Sequence, residues 1–582
     1  MLTIKGKLGI EDFYRIVFKE ESILINKDVL ATVENSFNFL SQFSQNKIIY
    51  GVNTGFGPMA QYKINDSDRI QLQYNLIRSH ASGTGNLIPT QYVKAAMLAR
   101  LNTLSLGHSG VHISVIELMT SLINKNITPV IFEHGGVGAS GDLVQLAHIA
   151  LVLIGEGEVF YKDERRPTEE VFKIENLTPI NIALREGLAL INGTSVMTGI
   201  GLINTINTRK LLDWMICCSS AINEIVQAYD DHLSLELNQS KKHKGQQQIA
   251  KLMRNHLEDS TLTRKREHHL YNGNNEVSVF EEKVQEYYSL RCVPQILGPV
   301  LDTLNNVEKI LIEEVNSAND NPIVDVEKEH VYHGGNFHGD YVSLEMDKLK
   351  LVVTKMSMLA ERQLNYLLNP NLNNILPPFA NLGKLGLNFG MQGVQFTATS
   401  TTAENQMLSN PMYVHSIPNN NDNQDIVSMG TNAANITKKV IENTFEVLAI
   451  ETITIVQAIE YLKVQDKISS KTRKMYDDIR NLVPPISDKD VPMYPFVNKV
   501  KNFNLKHTPS SPLEITEYEH FNLKKSQMKT KIGFSVALFL VFGNFYSQEY
   551  ALVRENGLFG YINTSGEYAI KPQFKKADNF TN

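Results

Sequence analysis

Cysteine is scarce in this chain of 582 residues: there are three, Cys217, Cys218 and Cys292. Adjacent Cys217 and Cys218 are poor partners for each other, and no Cys-x-x-Cys occurs. These counts argue against a disulfide framework or a thiolate zinc site and point to a reducing compartment. His-Glu-x-x-His is missing too. The His268-His269 pair sits in a charged stretch from Arg264, where neighbouring histidines on a helix diverge, so it reads as a solvated face and no metal is expected. Charge of one sign is also lacking. Against 62 acidic residues stand 56 basic ones, a net of −6, which gives no push toward nucleic acid or an anionic membrane. The first twenty residues carry charges throughout and no apolar core, so no secretory signal is expected and the cytoplasm is. No internal repeat is found through residue 507, which argues against a solenoid.

What is present is ordinary for a globular protein: 42% of residues are hydrophobic. A prior of about 150 residues per domain suggests roughly four domains, but one long helical bundle would absorb many residues and lower that count. The pattern favours the bundle. Leu297, Val300, Leu301, Leu304, Val307 and Leu311 recur at three and four, and so do Leu349, Val352, Val353, Met356, Leu359, Ala360 and Leu364. A third run covers about 436–462. Such stripes predict long amphipathic helices sharing a core. The part before about residue 195 is rich in glycine loops, at 50–57, 79–85 and 135–141, with helical sequence at 70–78 and 143–154. Strand signals are few and short. The expected fold is mainly α, with a loop-rich N-terminal part (about 1–195) and a helical bundle (about 196–507).

The C-terminus changes character. Residues 508–527 are polar and turn-rich, as a linker would be. Met528-Lys-Thr-Lys then precedes an apolar run from Ile532 to Phe545, closed by Ser547 and Gln548. That layout resembles a signal peptide, placed at the wrong end to act as one. Residues 557–574 resemble one unit of the WG-type β repeats, with Phe559 where the tryptophan would stand. One repeat cannot bury its own face. Residues 528–582 read as a second coding region joined in frame; a short tail anchor or a partner-binding hook are the alternatives.

Within the third glycine loop, Gly136-Val-Gly138-Ala-Ser-Gly141 matches G-x-G-x-x-G. No alternation of strands and helices follows it, and Pro129 interrupts the would-be strand before it, so a dinucleotide site is not expected. Ala139-Ser140-Gly141 offers different chemistry. The uncrowded Gly141 nitrogen can approach the Ala139 carbonyl. Cyclisation with loss of water, including the Ser140 hydroxyl, would leave a dehydroalanine in a five-membered imidazolone. That is an electrophile made without thiol, metal or added cofactor. The bland reading of the same tripeptide is a helix N-terminus capped by serine.

The wider stretch, Gly135-Gly-Val-Gly-Ala-Ser-Gly-Asp-Leu-Val-Gln-Leu-Ala-His148, resembles the signature of the histidine and aromatic amino acid ammonia-lyases. Their electrophile is 4-methylidene-imidazol-5-one (MIO). Val144-Gln145 stands where many members have Ala-Pro. The resemblance covers about residues 8–505 and looks closest to bacterial tyrosine ammonia-lyases.

Expelling ammonia from an aromatic amino acid needs a placed base and an electrophilic activator. The resemblance implies that Tyr50, in Tyr-Gly-Val-Asn-Thr-Gly-Phe-Gly57, is the base; nearby donors or positive charge would favour its phenolate. Arg291 would clamp the substrate carboxylate through its planar fork, with Tyr288 beside the MIO. Gln285, Tyr288 and Arg291 are three apart and would share a helix face. Asn192 would contact the MIO. Its fit to a glycosylation acceptor, Asn192-Gly-Thr194, is discarded in a cytosolic chain. Asn319-Asp-Asn-Pro322 reads as a turn and also matches a family motif. Asn336 and Phe337, in His333-Gly-Gly-Asn-Phe-His338, match another, with Phe337 as a wall beside the MIO ring. Ser79-His80 resembles the pair that lines the ring pocket, which disfavours phenylalanine. Gln424 stands where histidine-specific members carry glutamate. A neutral amide there points to a neutral ring, since a carboxylate suits an imidazole that can be cationic.

The implied activity is conversion of L-tyrosine to trans-4-coumarate and ammonia by a homotetramer with shared active sites. A tyrosine 2,3-aminomutase and a histidine ammonia-lyase are the rivals within enzymes. A binding or scaffold protein without MIO is the rival outside them.

Overall fold

The computed structural model describes residues 1–271, 278–280, 283–509, 551–556, 558–562 and 568–574. Contacts divide the chain into two compact units, Met1–Leu513 and Glu514–Asn582.

The apolar stripes become the expected helices. In the Val293–Val315 helix the six striped residues are all buried. In the Asp340–Leu368 helix Val352 alone of its stripe is left partly exposed. The third helix runs Gly430–Leu462, six residues longer at its start than its stripe indicates. Its first turn, Gly-Thr-Asn-Ala, reads as loop, but Thr431, Ala433 and Ala434 are buried there.

The axis of the bundle is a helix that shows no stripe. Ser195–Ile225 spans 31 residues and all but Arg209 are buried. A helix covered on every side has no polar face to give a 3.6-residue alternation. The Thr90–Ser105, Val293–Val315, Asp340–Leu368 and Gly430–Leu462 helices pack around it. Gln392–Leu408 packs in turn on the last two.

Strands are short and peripheral. The one parallel strand pair among the described residues joins Leu2–Ile4 to Ile23–Ile25. The Phe132–His134 strand that precedes the Gly136–Gly141 loop is paired antiparallel with Thr84–Leu87, so this loop does not open the helix of a parallel βαβ unit and lacks the setting of a dinucleotide site. The antiparallel pair Thr84–Leu87 and Phe132–His134 matters more, because the second strand leads directly into that loop.

In the second unit, Ala551–Glu555, Leu558–Ile562 and Tyr568–Phe574 form an antiparallel meander. Asn556, at φ +52°, turns the chain between the first two strands. The apolar run of 532–545 and most of the 508–527 linker lie outside the described residues. Among the described residues no helix is long and apolar enough to cross a membrane.

Candidate active site

Ser140 lies in the loop between the Phe132–His134 strand and the Leu143–Leu153 helix. Gly141 has φ +73°, and a Cβ on it would overlap the Gly193 carbonyl oxygen, so this position requires glycine. The Asp142 N–H donates to that same oxygen at 2.8 Å.

Four successive carbonyls of the loop are each met by a donor. The Met429 N–H reaches the Val137 oxygen at 2.9 Å. The Gly138 oxygen accepts the Gly339 N–H at 3.0 Å and the Ser428 hydroxyl at 3.1 Å. His338 Nδ1 lies 3.2 Å from the Ala139 oxygen, and Asn192 Nδ2 donates to the Ser140 oxygen at 3.1 Å. Gln424 Nε2 donates to the Ser140 hydroxyl oxygen at 2.9 Å.

Asp142 anchors the loop from behind. Its buried carboxylate accepts the Val196 and Met197 N–H groups at 2.8 and 2.9 Å, in the first turn of the Ser195–Ile225 helix, and the Thr431 hydroxyl. An anion at a helix N-terminus is favoured by the helix dipole. Burial raises its pKa to about 6, against the pull of those donors and of Arg100, so it is mostly ionised at neutral pH. Arg100, also buried, donates to the Asn192 carbonyl at 2.8 Å and to the Ala189 carbonyl. That fixes the backbone from which the Asn192 amide reaches Ser140. The turn-like Asn319-Asp320 segment is a buttress. Asn319 accepts from Arg100 and donates to Thr194 at 2.8 Å, and Asp320 pairs with buried Arg185 at 2.9 Å.

Tyr50 is half-buried, and its hydroxyl oxygen accepts the Gly57 N–H at 3.0 Å. A Cβ on Gly57, at φ +53°, would come within 2.8 Å of the Asn420 amide. The Tyr50 loop therefore rests on the 419–424 turn that carries Gln424. His80 ends the Arg69–His80 helix. Its Nδ1 faces the Leu76 carbonyl oxygen at 2.9 Å, with the Ser79 hydroxyl 3.1 Å away. A carbonyl only accepts, so Nδ1 carries a proton and Nε2 is the ring nitrogen not engaged by that contact. Asn336 donates to the Ala318 carbonyl at 3.1 Å, and half-buried Phe337 precedes His338.

Gln285, Tyr288 and Arg291 are elsewhere. The helix here is only Tyr288–Arg291, so Gln285 precedes it and the expected three-residue helical face is not formed. Gln285 Oε1 still accepts from Arg291, whose guanidinium stacks on the Tyr288 ring at 4.7 Å. These residues line a cavity of about 650 Å³ with Lys283, Arg362 and Tyr366. The Ser195–Ile225 helix measures their distance from Ser140. Val196 touches Asp142, while Asn223 reaches the Leu290 carbonyl at 3.5 Å. Twenty-seven residues of helix separate those contacts, or about 40 Å. One chain therefore assembles Tyr50, Ser140, Asn192 and Gln424 at one end of the bundle and Tyr288 and Arg291 at the other.

Asp142, Arg100, His338 and Ser428 were not singled out in the sequence. Asp142 and His338 adjoin motif residues and could have been flagged for that. Arg100 sits in an unremarkable helical stretch, and nothing local marks it.

Residues 8–481 match the family described as aromatic amino acid lyase. The chain belongs to that family. A histidine ammonia-lyase of Geobacillus sp. (strain WCH70) is 38% identical over 493 residues, 84% of this chain and 93% of that one. A tyrosine 2,3-aminomutase of Myxococcus fulvus is 40% identical over 464 residues, 79% and 88% of the two chains. The crystal structure of a tyrosine aminomutase from Streptomyces globisporus superimposes with a TM-score of 0.83 at 34% identity, covering 87% of this chain and 97% of that one. Residues 559–582 match a WG containing repeat. This aromatic amino acid lyase thus keeps company with both ammonia-lyases and aminomutases.

Proposed function

We propose that the protein is a tyrosine ammonia-lyase, releasing ammonia from L-tyrosine to give trans-4-coumarate. The observation that carries the substrate is His80: with Nδ1 committed to Leu76, Nε2 is the ring nitrogen available to hydrogen-bond a phenol hydroxyl. Neutral Gln424, beside Ser140, supports a neutral ring over an imidazolium.

The tripeptide Ala139-Ser140-Gly141 fits a MIO group. Gly141 fills a cradle with no room for a Cβ, and the donors on Ser140 suit a ring that keeps the Ser140 carbonyl. Asn192 would hold that carbonyl. When formed, MIO supplies an electrophile that turns the substrate amine into a leaving group. Tyr50 takes the β-proton, and the Gly57 N–H stabilises its phenolate by donating to it. The carboxylate is held by the partner subunit's Arg291, which Gln285 and Tyr288 of that subunit orient. Phe337 and Asn336 border the ring.

This reading needs at least a second copy of the chain, because one chain leaves the two halves of the site about 40 Å apart, and the copy number we propose is four, a homotetramer. Exposed Tyr341, Leu344 and Leu351 along one bundle helix, and Phe396 and Met407 on another, supply apolar surface for such contacts. We place the enzyme in the cytoplasm, in keeping with its three free thiols. Residues 1–507 form the enzyme in this reading, and 508–582 a linker and an appended tail.

The test is to incubate purified protein with L-tyrosine, L-histidine and L-phenylalanine and identify products. Coumarate from tyrosine as the main product is expected. Urocanate from histidine would replace the substrate assignment. β-Tyrosine would make the enzyme a tyrosine 2,3-aminomutase, a reading favoured by the 40% identity to the Myxococcus enzyme.

A further inference from the structure

We infer that His338 is a catalytic residue in the self-processing of this chain: it donates a hydrogen bond to the Ala139 carbonyl and stabilises the oxyanion formed when the Gly141 nitrogen attacks. The inference rests on the proposed formation of MIO from Ala139-Ser140-Gly141.

Of the four loop carbonyls, that of Ser140 stays in the ring and is held by Asn192, and the donors on the other three fall into two groups. Val137 and Gly138 are met by backbone N–H groups and the Ser428 hydroxyl, which hold the loop to the starts of two bundle helices. Ala139 is met by a side chain that reaches it from the 333–339 loop. Its oxygen is the one that must change chemically. As the Gly141 nitrogen bonds to the Ala139 carbon, the carbon–oxygen π pair moves onto oxygen. A donor already in place lowers that barrier without reorganisation.

His338 is set for this. A carbonyl can only accept, so the 3.2 Å contact places the proton on Nδ1. Asp340 Oδ2 lies 3.4 Å from Nε2, so a carboxylate backs the ring on its far side. Such a partner orients the imidazole. Gly339 N–H, the next donor along, binds the Gly138 carbonyl at 3.0 Å and fixes the backbone that presents the ring.

The step balances. The Gly141 nitrogen forms a bond to the Ala139 carbon and gives up its proton. The Ala139 oxygen gains a proton, then leaves as water with the Ser140 N–H proton, forming a carbon–nitrogen double bond. The second water takes the Ser140 hydroxyl and its α-hydrogen. His338 ends as it began.

The experiment follows processing rather than turnover. Full-length chain is made by cell-free synthesis, quenched at intervals, and the peptide across Ala139–Gly141 is weighed. Wild-type chain is expected to lose two waters; if it does not, the MIO reading fails and takes this inference with it. In His338→Leu the loss is expected to slow about 100-fold, the usual worth of one oxyanion donor. His338→Gln, which restores an N–H donor, should recover most of that rate. Wild-type rate in His338→Leu at an unchanged melting temperature overturns the inference and leaves the MIO reading intact. So does a His338→Gln as slow as His338→Leu. If His338→Leu does not fold, His338→Gly with added imidazole decides: a rate that rises with imidazole supports the role, and a flat one overturns it.

Discussion

Gly141 is the residue where backbone and chemistry coincide. At φ +73° a side chain costs about 1–2 kcal/mol, and here it would also overlap the Gly193 carbonyl. Gly141→Ala should lower the melting temperature and yield a chain whose 139–141 peptide keeps both waters, measured by mass spectrometry. A folded Gly141→Ala that loses both waters would refute the strained-turn argument. Glu186 gives a residue-scale prediction on pH. It accepts the His112 and Ala183 N–H groups at 2.6 Å each, yet burial pushes its pKa up to about 7. The unfolded chain ionises it near 4.3, so between about pH 4 and 7 the folded state holds a proton that the unfolded state has released. Stability therefore falls as pH rises through that window, by on the order of 3–4 kcal/mol. Asp142, raised to about 6, adds to the same slope. Glu186→Gln should flatten, not abolish, the fall of melting temperature between pH 4.5 and 7.5; an unaltered slope would show the shift is not there. At this scale motif resemblance pointed to Tyr50, Asn192 and Gln424, and the structure brings these three to the Ser140 loop. Arg100 and Glu186 were not legible, because their roles come from partners far along the chain that no local pattern announces.

Among the elements, the Ser195–Ile225 helix decides the architecture. Gly199 lets it approach the Thr90–Ser105 helix. A Cβ there would lie 2.5 Å from the Ala96 nitrogen and 2.6 Å from its Cα. Alanine at a helix interior gains about 1 kcal/mol over glycine in propensity. Overpacking costs about 1–3 kcal/mol, and the obstacle here is backbone, which cannot swing aside. The second effect wins: Gly199→Ala should shift the denaturation midpoint down, and a midpoint that holds or rises would mean the helices can part freely. The amphipathic helices were readable because each keeps a wet face. This central helix was not, since Thr, Asn and Ser are buried along it as thoroughly as Ile and Leu. The Gln285–Arg291 segment shows the opposite failure: three-residue spacing suggested one helix face, but the helix starts only at Tyr288. Arg291 and Gln285 still meet, because long side chains bridge what the backbone does not align.

For the whole molecule, the proposed site is one that the bundle both builds and divides. Val196 and Gly339 lie at the starts of two long helices beside the Ser140 loop. Asn223 and Gln363, far along the same helices, hold the segment bearing Arg291, Gln363 by donating to the Ser289 carbonyl at 2.7 Å. Rigid helices cannot fold back, so in the proposed reading neither half can serve the other within one chain. Trp214 ties the end of the first unit through the Asn504 and His507 carbonyls at 3.1 and 2.9 Å. Truncation after Pro509 keeps those bonds and is expected to leave tyrosine turnover and assembly unchanged; loss of either would make the tail part of the enzyme. The divided site makes the sharper prediction. Ser140→Ala and Arg291→Ala should each be nearly inactive alone, because each spoils one half of every site. Coexpressed in equal amounts, they form mixed assemblies in which a site can draw an intact Ser140 from one subunit and an intact Arg291 from another. With random assortment in a closed symmetric oligomer about a quarter of the sites are whole. Turnover of L-tyrosine by the coexpressed mixture should therefore return to about a quarter of the wild-type rate. A mixture as inactive as its components, in verified mixed tetramers, would mean that both groups act within one chain and that the partner completes nothing.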